Sequence, residues 1–157
     1  MNPGDVREYA VRPALQMLGL WSQVAEDLVM GTAAQESHFA YLEQIRGPAI
    51  GLFQMEPNTF QDIWRNFLPG KPVITRALRS MLVNDPDPTE MAWNLRFAAA
   101  MCRVHYYRKS EPLPPSSDPL LLGAYWKKHY NTIHGAGTVQ EFVNNYNKFV
   151  LNKSDVD

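Results

Sequence analysis

The chain has 157 residues, which is the size of one domain and enough to bury most of a core's apolar surface. Hydrophobic residues make up 45% of the sequence and charged residues 20%, which excludes a disordered chain and a coiled coil. The 15 basic and 16 acidic side chains give a formal charge of -1, so no global positive field attracts nucleic acid or an anionic membrane.

Cys102 is the only cysteine, so no internal disulfide is expected, and the sequence has none of the paired-cysteine spacings of zinc and redox sites. We therefore expect a fold held by packing, with no metal and no cofactor. No run approaches the roughly 18 apolar residues of a membrane span. The charged N-terminus lacks the apolar stretch of a secretory signal, so we expect synthesis in the cytoplasm without a signal peptide.

Nearly every periodic segment has helical rather than strand spacing. The first predicted helix covers about residues 5–18 and is interrupted near Pro13, which has no backbone N–H. Ser22 is expected to cap the second helix, with Glu26 and Asp27 in the first turn favouring the helix dipole. The second helix should be central, because its apolar residues follow one face. These residues are Trp21, Val24, Ala25, Leu28, Val29 and Ala33.

The middle of the chain predicts a loop and further helices. Glycine and proline in residues 44–51 indicate the loop. Thr59, with Asp62 three residues later, has the form of a capping box, which predicts a helix start there. A short helix is expected over residues 75–82, and Pro88 is expected to open a longer one. The longer helix has one apolar stripe, formed by Met91, Leu95, Ala98, Cys102 and Tyr106.

Two helices complete the chain. Pro119 opens the first, which extends to about Tyr130, and Thr138 caps the second. The predicted fold class is all-α, or α+β with minimal β, in a single domain of about six to eight helices. The domain covers residues 1–151, and residues 152–157 form a C-terminal tail.

Glu36 carries the strongest chemical signal. On a helix that advances about 100° per residue, it lies within roughly 20° of the centre of the apolar stripe. One interpretation is a general acid, because apolar surroundings raise the pKa of a carboxyl group and keep it protonated near neutral pH. The other is a polar residue at the end of a stripe, exposed to solvent or paired with Arg46. Periodicity alone leaves both open.

Two short segments stand out in the first half of the chain. Residues 34–39 read Ala-Gln-Glu-Ser-His-Phe, and residues 51–54 read Gly-Leu-Phe-Gln. Both resemble signature blocks of the soluble lytic transglycosylases, the lysozyme-like enzymes that cleave bacterial peptidoglycan. By this resemblance Glu36 takes the place of the family's catalytic acid. Gln54, 18 residues later, ends the second block at the spacing expected for the family.

A third segment extends the resemblance. Tyr130-Asn131 is similar to the family's third block, usually Ala-Tyr-Asn-Ala-Gly, so the resemblance covers roughly residues 22–146. It implies a lysozyme-like fold and a peptidoglycan glycan strand as partner. The chain departs from the family in two places. Ile45 stands where the family often has a serine or threonine that orients the substrate's acetamido group, and residues 132–134 are an insertion.

The resemblance also implies roles for a small set of residues. Glu36 is expected to protonate the leaving oxygen and then to deprotonate the C6 hydroxyl, so that one carboxyl group serves both steps. The amide of Gln54 suits a sugar hydroxyl or N-acetyl group, and Gly51 would let the backbone approach a sugar. The expected substrate-binding residues are Gln54, Gly51, Tyr130, Ser37, Asn131 and Glu56.

Most of these residues also have a structural interpretation. Tyr130 could be a core residue at a helix end, and Asn131 a turn or capping residue. Ser37 could orient the loop that follows it. Glu56 could be an exposed charge before Pro57.

The expected function is a lytic transglycosylase that cleaves the β-1,4 bond between N-acetylmuramic acid and N-acetylglucosamine and leaves a 1,6-anhydromuramoyl end. The runner-up is a hydrolytic muramidase, which uses a second carboxylate, and Glu56 and Glu43 are the nearest candidates. An alternative of another class is a non-catalytic glycan-binding or structural component of a phage tail.

A small muralytic domain without a signal peptide or a wall-binding appendage is typical of a bacteriophage enzyme. We expect a virion-associated tail protein that acts in the periplasm or cell wall, with other tail or virion proteins as partners. The alternative is an endolysin released at lysis. The near-zero net charge favours tethered delivery over electrostatic attraction to anionic peptidoglycan.

Overall fold

The computed structural model describes residues 1–43, 47–131 and 135–153. Seven helices, joined by turns and short irregular segments, account for most of these residues. Within the described ranges, β structure is limited to isolated bridges that join Glu43 to Ile50 and Ile50 to Met55. The predicted all-α domain of six to eight helices is therefore confirmed.

Helix α1 covers residues 3–18 in three consecutive parts, Pro3–Val6, the π-helical Arg7–Val11 and Arg12–Leu18. Pro13 is the second residue of the last part, directly after the π-helical turn. Because proline donates no N–H to the preceding turn, the regular hydrogen-bond pattern is interrupted there. The predicted irregularity near Pro13 is confirmed.

Helix α2 (Gln23–Ser37) packs against α1 and three of the later helices, so its predicted central position is confirmed. The hydroxyl of Ser22 accepts the backbone N–H three residues on at 3.0 Å, as expected for the cap. Gly31 lies where a Cβ would come within 2.4 Å of Phe142 Cζ. Glycine at this position therefore allows the last helix to pack closely against α2.

The five remaining helices complete the fold, and three of them, α5, α6 and α7, pack directly on α2. They are α3 (Pro57–Asp62, continued by the π-helical Ile63–Phe67), α4 (Pro72–Met81), α5 (Leu95–Tyr107), α6 (Pro119–Trp126, continued by the π-helical Lys127–Asn131) and α7 (Val139–Asn145, continued by the π-helical Tyr146–Val150).

Two predicted helix starts are wrong. Thr59 does not cap α3, because Pro57 opens this helix two residues earlier, with Glu56 at the N-cap. The fixed φ of proline suits the first position of a helix. The longer helix that was expected to open at position 88 is two elements, a 3₁₀ segment (Pro88–Ala92) and α5. Asn94 caps α5 through a side-chain oxygen that accepts a backbone N–H at 3.1 Å.

A cluster of charged side chains joins α1 to the beginning of α2. Glu26 is fully buried and accepts hydrogen bonds from Arg7, Arg12 (2.7 Å) and Trp21 (2.9 Å). Asp27 accepts a second hydrogen bond from Arg7, at 2.8 Å. Burial by itself raises the pKa of Glu26, but the hydrogen bonds from Arg12, Trp21 and Arg7 lower it to about 2. The carboxylates of Glu26 and Asp27 therefore hold α1 against α2. This contact is in addition to the favourable interaction with the helix dipole that the sequence predicts.

Some predicted features fall outside the described residues: Ile45 and Arg46, the insertion at 132–134 and the tail residues 154–157. In the parts of the chain that the structure describes, no helix is long and apolar enough to cross a membrane.

Candidate active site

A cleft of about 640 Å³ lies where the end of α2 meets the loop before α3 and the ends of α5 and α6. These elements are far apart in sequence, and the packing of the later helices on α2 brings them together. Most of the residues expected to bind or cleave a substrate line this cleft. Those that line it are Glu36, Gln54, Glu56, Tyr130 and Asn131.

Glu36 lies in the last turn of α2, with its carboxyl group largely withdrawn from solvent. Burial raises its pKa from 4.5 to about 7, and the nearby indole N–H of Trp126 opposes this shift. Glu36 takes part in none of the ion pairs between described residues. A carboxyl group with a pKa near 7 is protonated in about half of the molecules at neutral pH, so it can both give and accept a proton.

Side chains from α5 and α6 form the wall behind Glu36. Trp126 is fully buried, and its indole N–H makes no hydrogen bond of ordinary geometry with any described residue. It therefore favours the ionised form of Glu36 without forming a regular hydrogen bond to it. Burial and the Glu36 carboxylate raise the pKa of the Cys102 thiol. Cys102 is thus a protonated core residue, as predicted.

The loop before α3 presents Gln54 to the cleft through a tight turn. Ile50 and Met55 exchange backbone hydrogen bonds of 2.9 and 3.1 Å, which closes the turn. Gln54 has a φ of 49°, and its side-chain amide donates to the Gly51 carbonyl at 2.8 Å. One amide N–H of Gln54 is used in this way, and the side-chain oxygen makes no hydrogen bond to a described residue. That oxygen can accept a hydrogen bond from a ligand.

Gly51 is buried and does not line the cleft. Its φ is 81°, and a Cβ at this position would lie 2.5 Å from the Met91 carbonyl oxygen. Glycine is needed here for the left-handed turn and for close packing on the 3₁₀ segment. Because Gly51 is buried and does not line the cleft, its position does not support the expected close approach of a sugar.

Tyr130 and Ser37 both have structural partners. The hydroxyl of Tyr130 donates to the Phe53 carbonyl, which ties the loop to the end of α6. The ring of Tyr130 still lines the cleft and lies edge-on to His105, with centroids 4.9 Å apart. Ser37 is buried and donates to the Ala33 carbonyl at 3.0 Å. Ser37 is not in the cleft, so its position fits the structural interpretation.

Asn131 lines the cleft while its side-chain oxygen accepts a hydrogen bond from Lys127 Nζ at 2.6 Å. The same ammonium group donates to the carbonyls of Gly135 (2.9 Å) and Gly137 (2.7 Å). Lys127 thereby fastens the end of α6 to the segment that leads into α7. Asn131 combines this structural contact with a place in the cleft wall.

Two further carboxylates, Glu43 and Glu56, line the cleft and are exposed. Glu56 stands at the N-cap of α3 without a side-chain capping bond. It is thus both the exposed charge before Pro57 and a cleft residue. A mechanism that activates water would draw on one of these two side chains.

The sequence interpretation missed His105. This residue is 8% exposed, comes from α5 and lines the cleft. Burial and the positive charges of Arg108 and Lys109 lower its pKa to about 3, so the ring is neutral at physiological pH. A signal was present, because His105 lies three residues after Cys102 and directly before Tyr106 on an apolar helix face.

No group of three histidine, cysteine, aspartate or glutamate side chains within the described ranges could hold a metal ion. The lysozyme-like fold and the family resemblance stay predictions. Comparison of the chain with protein-family models, with curated proteins and with solved structures found no match in any of the three.

Proposed function

We propose that the chain is a peptidoglycan lytic transglycosylase in which Glu36 is the single acid and base. The observation that carries this proposal is the position of Glu36 in a cleft that also holds Gln54 and Tyr130, where burial raises its pKa to about 7. Such a carboxyl group can act as a general acid and, once ionised, as a general base.

In the first step, protonated Glu36 donates its proton to the glycosidic oxygen between N-acetylmuramic acid and N-acetylglucosamine. The bond from that oxygen to C1 of the muramic acid residue breaks, and N-acetylglucosamine leaves with the proton. The carbonyl oxygen of the substrate's own acetamido group bonds to C1 and stabilises the positive charge. Glu36 is left as a carboxylate.

In the second step, the Glu36 carboxylate removes the proton of the C6 hydroxyl group. The C6 oxygen bonds to C1 while the acetamido oxygen leaves it, and a 1,6-anhydro ring forms. Glu36 ends protonated and ready for another cycle, so neither water nor a second carboxylate is consumed. A pKa near the working pH suits this cycle, because Glu36 must lose a proton in the first step and regain one in the second.

A hydrolytic muramidase is the second candidate, and the positions of Glu43 and Glu56 in the same cleft favour it. In that mechanism one of these carboxylates would activate a water molecule, and the product would have a reducing end. A third candidate, of another class, is a phage tail component that binds glycan without turnover. The three candidates predict different products.

The experiment is a digestion of purified peptidoglycan followed by mass spectrometry of the released fragments. The wild-type chain should release fragments with anhydromuramoyl ends, which are lighter than reducing ends by one water. Glu36→Gln should lower the rate by about a thousandfold, because general acid and base catalysis are both removed. Glu141→Gln, at an exposed position of α7, is the matched control and should keep full activity.

Reducing ends that depend on Glu43 or Glu56 would favour the muramidase. Binding of peptidoglycan without cleavage would favour the structural tail component. Equal activity of wild type and Glu36→Gln would remove Glu36 from the mechanism.

We also propose that the protein is delivered to the cell wall as part of a bacteriophage tail. Its near-zero net charge offers little attraction to an anionic wall, which supports delivery by a carrier. Mass spectrometry of purified phage particles should then detect the chain, and its absence from them would contradict this placement.

A further inference from the structure

His105 is held in the cleft by a chain of two polar contacts, through Arg108 to Asp62. Arg108 donates to His105 Nδ1, at 3.0 Å from Nη2 and 3.3 Å from Nε. Arg108 in turn donates from Nη1 to Asp62 at 2.5 Å. Asp62 belongs to α3, whereas His105 and Arg108 lie on and directly after α5. The ring is therefore fixed from two elements.

These contacts determine which ring nitrogen carries the proton. A guanidinium group has only donors, so Nδ1 of His105 must be an unprotonated acceptor. The neutral ring then carries its hydrogen on Nε2. In the hydrogen bonds between described residues, His105 uses only Nδ1. The imidazole is a cleft residue, so the Nε2–H group is a donor left for a ligand.

A neutral donor suits the neighbourhood of a carboxyl group that must keep a high pKa. A lysine or arginine facing the cleft would stabilise the Glu36 carboxylate and lower its pKa. Arg108, which donates to Nδ1 of the imidazole, is itself paired with Asp62. The ring therefore offers a hydrogen bond without a positive charge.

Resting on the transglycosylase function proposed above, we propose that His105 Nε2–H binds the acetamido carbonyl oxygen of an amino sugar in the cleft. That oxygen is the strongest neutral acceptor of an N-acetylated sugar, whereas the Glu43 and Glu56 carboxylates in the same cleft are acceptors and would repel it. His105 is thus a specificity-determining residue for N-acetylated glycan. It takes no part in proton transfer, because it stays neutral throughout.

The test is a pair of substitutions that separate the two ring nitrogens, made in the Glu36→Gln variant so that the glycan is not cleaved. His105→Asn keeps an acceptor near the position of Nδ1 and removes the donor at Nε2. His105→Gln carries an amide N–H near the position of Nε2. The measurement is the Kd for peptide-free glycan strands, in their N-acetylated form and after N-deacetylation.

We expect His105→Asn to weaken binding of the N-acetylated strands by about tenfold, the value of one neutral hydrogen bond. Binding of deacetylated strands should change little, and His105→Gln should restore most of the affinity for the acetylated form. As a second route, Arg108→Met frees Nδ1, so the ring can hold its hydrogen on either nitrogen. It should give an intermediate loss, again confined to acetylated strands.

Equal losses on both forms of glycan, or full affinity in His105→Asn, would overturn the inference. A purely structural role predicts the reverse ranking, with His105→Asn better than His105→Gln. Cleavage by the wild type together with unchanged binding in His105→Asn would remove this inference alone. If the wild type does not cleave the strands and the Glu36→Gln variant does not bind them, the proposed function falls with it.

Discussion

Glu26 and Glu36 lie on the same helix, and their surroundings drive their ionisation in opposite directions. Both are withdrawn from solvent, and burial raises the pKa of each. At Glu26 the hydrogen bonds from Arg12, Trp21 and Arg7 reverse this effect and bring the pKa to about 2. Among the residues that the structure describes, Glu36 has no such cation, and its pKa stays at about 7.

The two ends of α2 therefore have different roles, one structural and one chemical. A carboxylate held by two arginines is permanently charged at neutral pH and joins α2 to α1. A carboxyl group left without a cation keeps its proton available, and this makes the native state less stable whenever the group ionises. Loss of stability at one site and gain at another is the pattern expected where one site is functional.

The largest effect on stability is expected from Glu26→Gln. This change leaves Arg7 and Arg12 without their shared partner, so it should lower the free energy of unfolding at pH 7 by about 3 kcal/mol. Because the folded pKa of Glu26 is lowered, its contribution is present above about pH 4.5 and is lost as the pH falls toward 2. Urea denaturation measures the free energy of unfolding of wild type and Glu26→Gln at pH 7 and at pH 3. The difference between the two proteins should be smaller at pH 3.

The control for this change is Glu8→Gln, at an exposed position of α1. It should alter the free energy of unfolding by less than about 0.5 kcal/mol. Equal effects of Glu8→Gln and Glu26→Gln would show that the buried cluster contributes no more than a surface charge.

A smaller effect of opposite sign is expected from Glu36→Gln. The folded pKa of Glu36 is raised, so its ionisation lowers stability as the pH rises from about 4.5 through 7. The neutral amide should therefore stabilise the protein by about 2 kcal/mol at pH 8, with almost no effect at pH 4. Thermal unfolding at the two pH values measures the difference. A destabilised variant at pH 8 would contradict the comparison.

The smallest effect is expected from Gly31→Ala, midway between the two carboxylates. Alanine favours a helix, but its Cβ would meet the fully buried Phe142 at 2.4 Å. We expect a net loss of about 1 to 2 kcal/mol in the free energy of unfolding. Adding Phe142→Leu should restore part of that loss, because the two side chains compete for one space. If the effects of Gly31→Ala and Phe142→Leu simply add, the two side chains do not compete for the same space.

The sequence predicted the features that depend on local patterns. Ser22 and Thr138 cap their helices as expected, with hydrogen bonds of 3.0 and 3.1 Å to the backbone. Helical periodicity placed Glu36 near the centre of the apolar stripe but left its exposure open, and the structure places its carboxyl group in the cleft wall. Such features are encoded within about one turn to three turns of a helix, which is why one sequence suffices to find them.

Features that depend on distant partners were missed. The sequence predicted only a helix-dipole role for Glu26, because no local pattern indicates that Arg7 and Arg12 are its partners. His105 was overlooked because its place in the cleft depends on the loop before α3 and on the end of α6, which are distant from it in sequence. Only the tertiary structure brings these groups together, so the sequence signal at His105, its position beside the apolar stripe of α5, was not enough to assign it to the cleft.

The most direct test of the comparison is an NMR titration of the glutamate side-chain carbons, with the signals assigned through Glu26→Gln and Glu36→Gln. We expect Glu36 to titrate near pH 7 in the folded protein, while Glu26 stays charged down to about pH 2. A titration of Glu36 close to 4.5, the ordinary value for a glutamate, would contradict the account and remove the acid on which the proposed function rests.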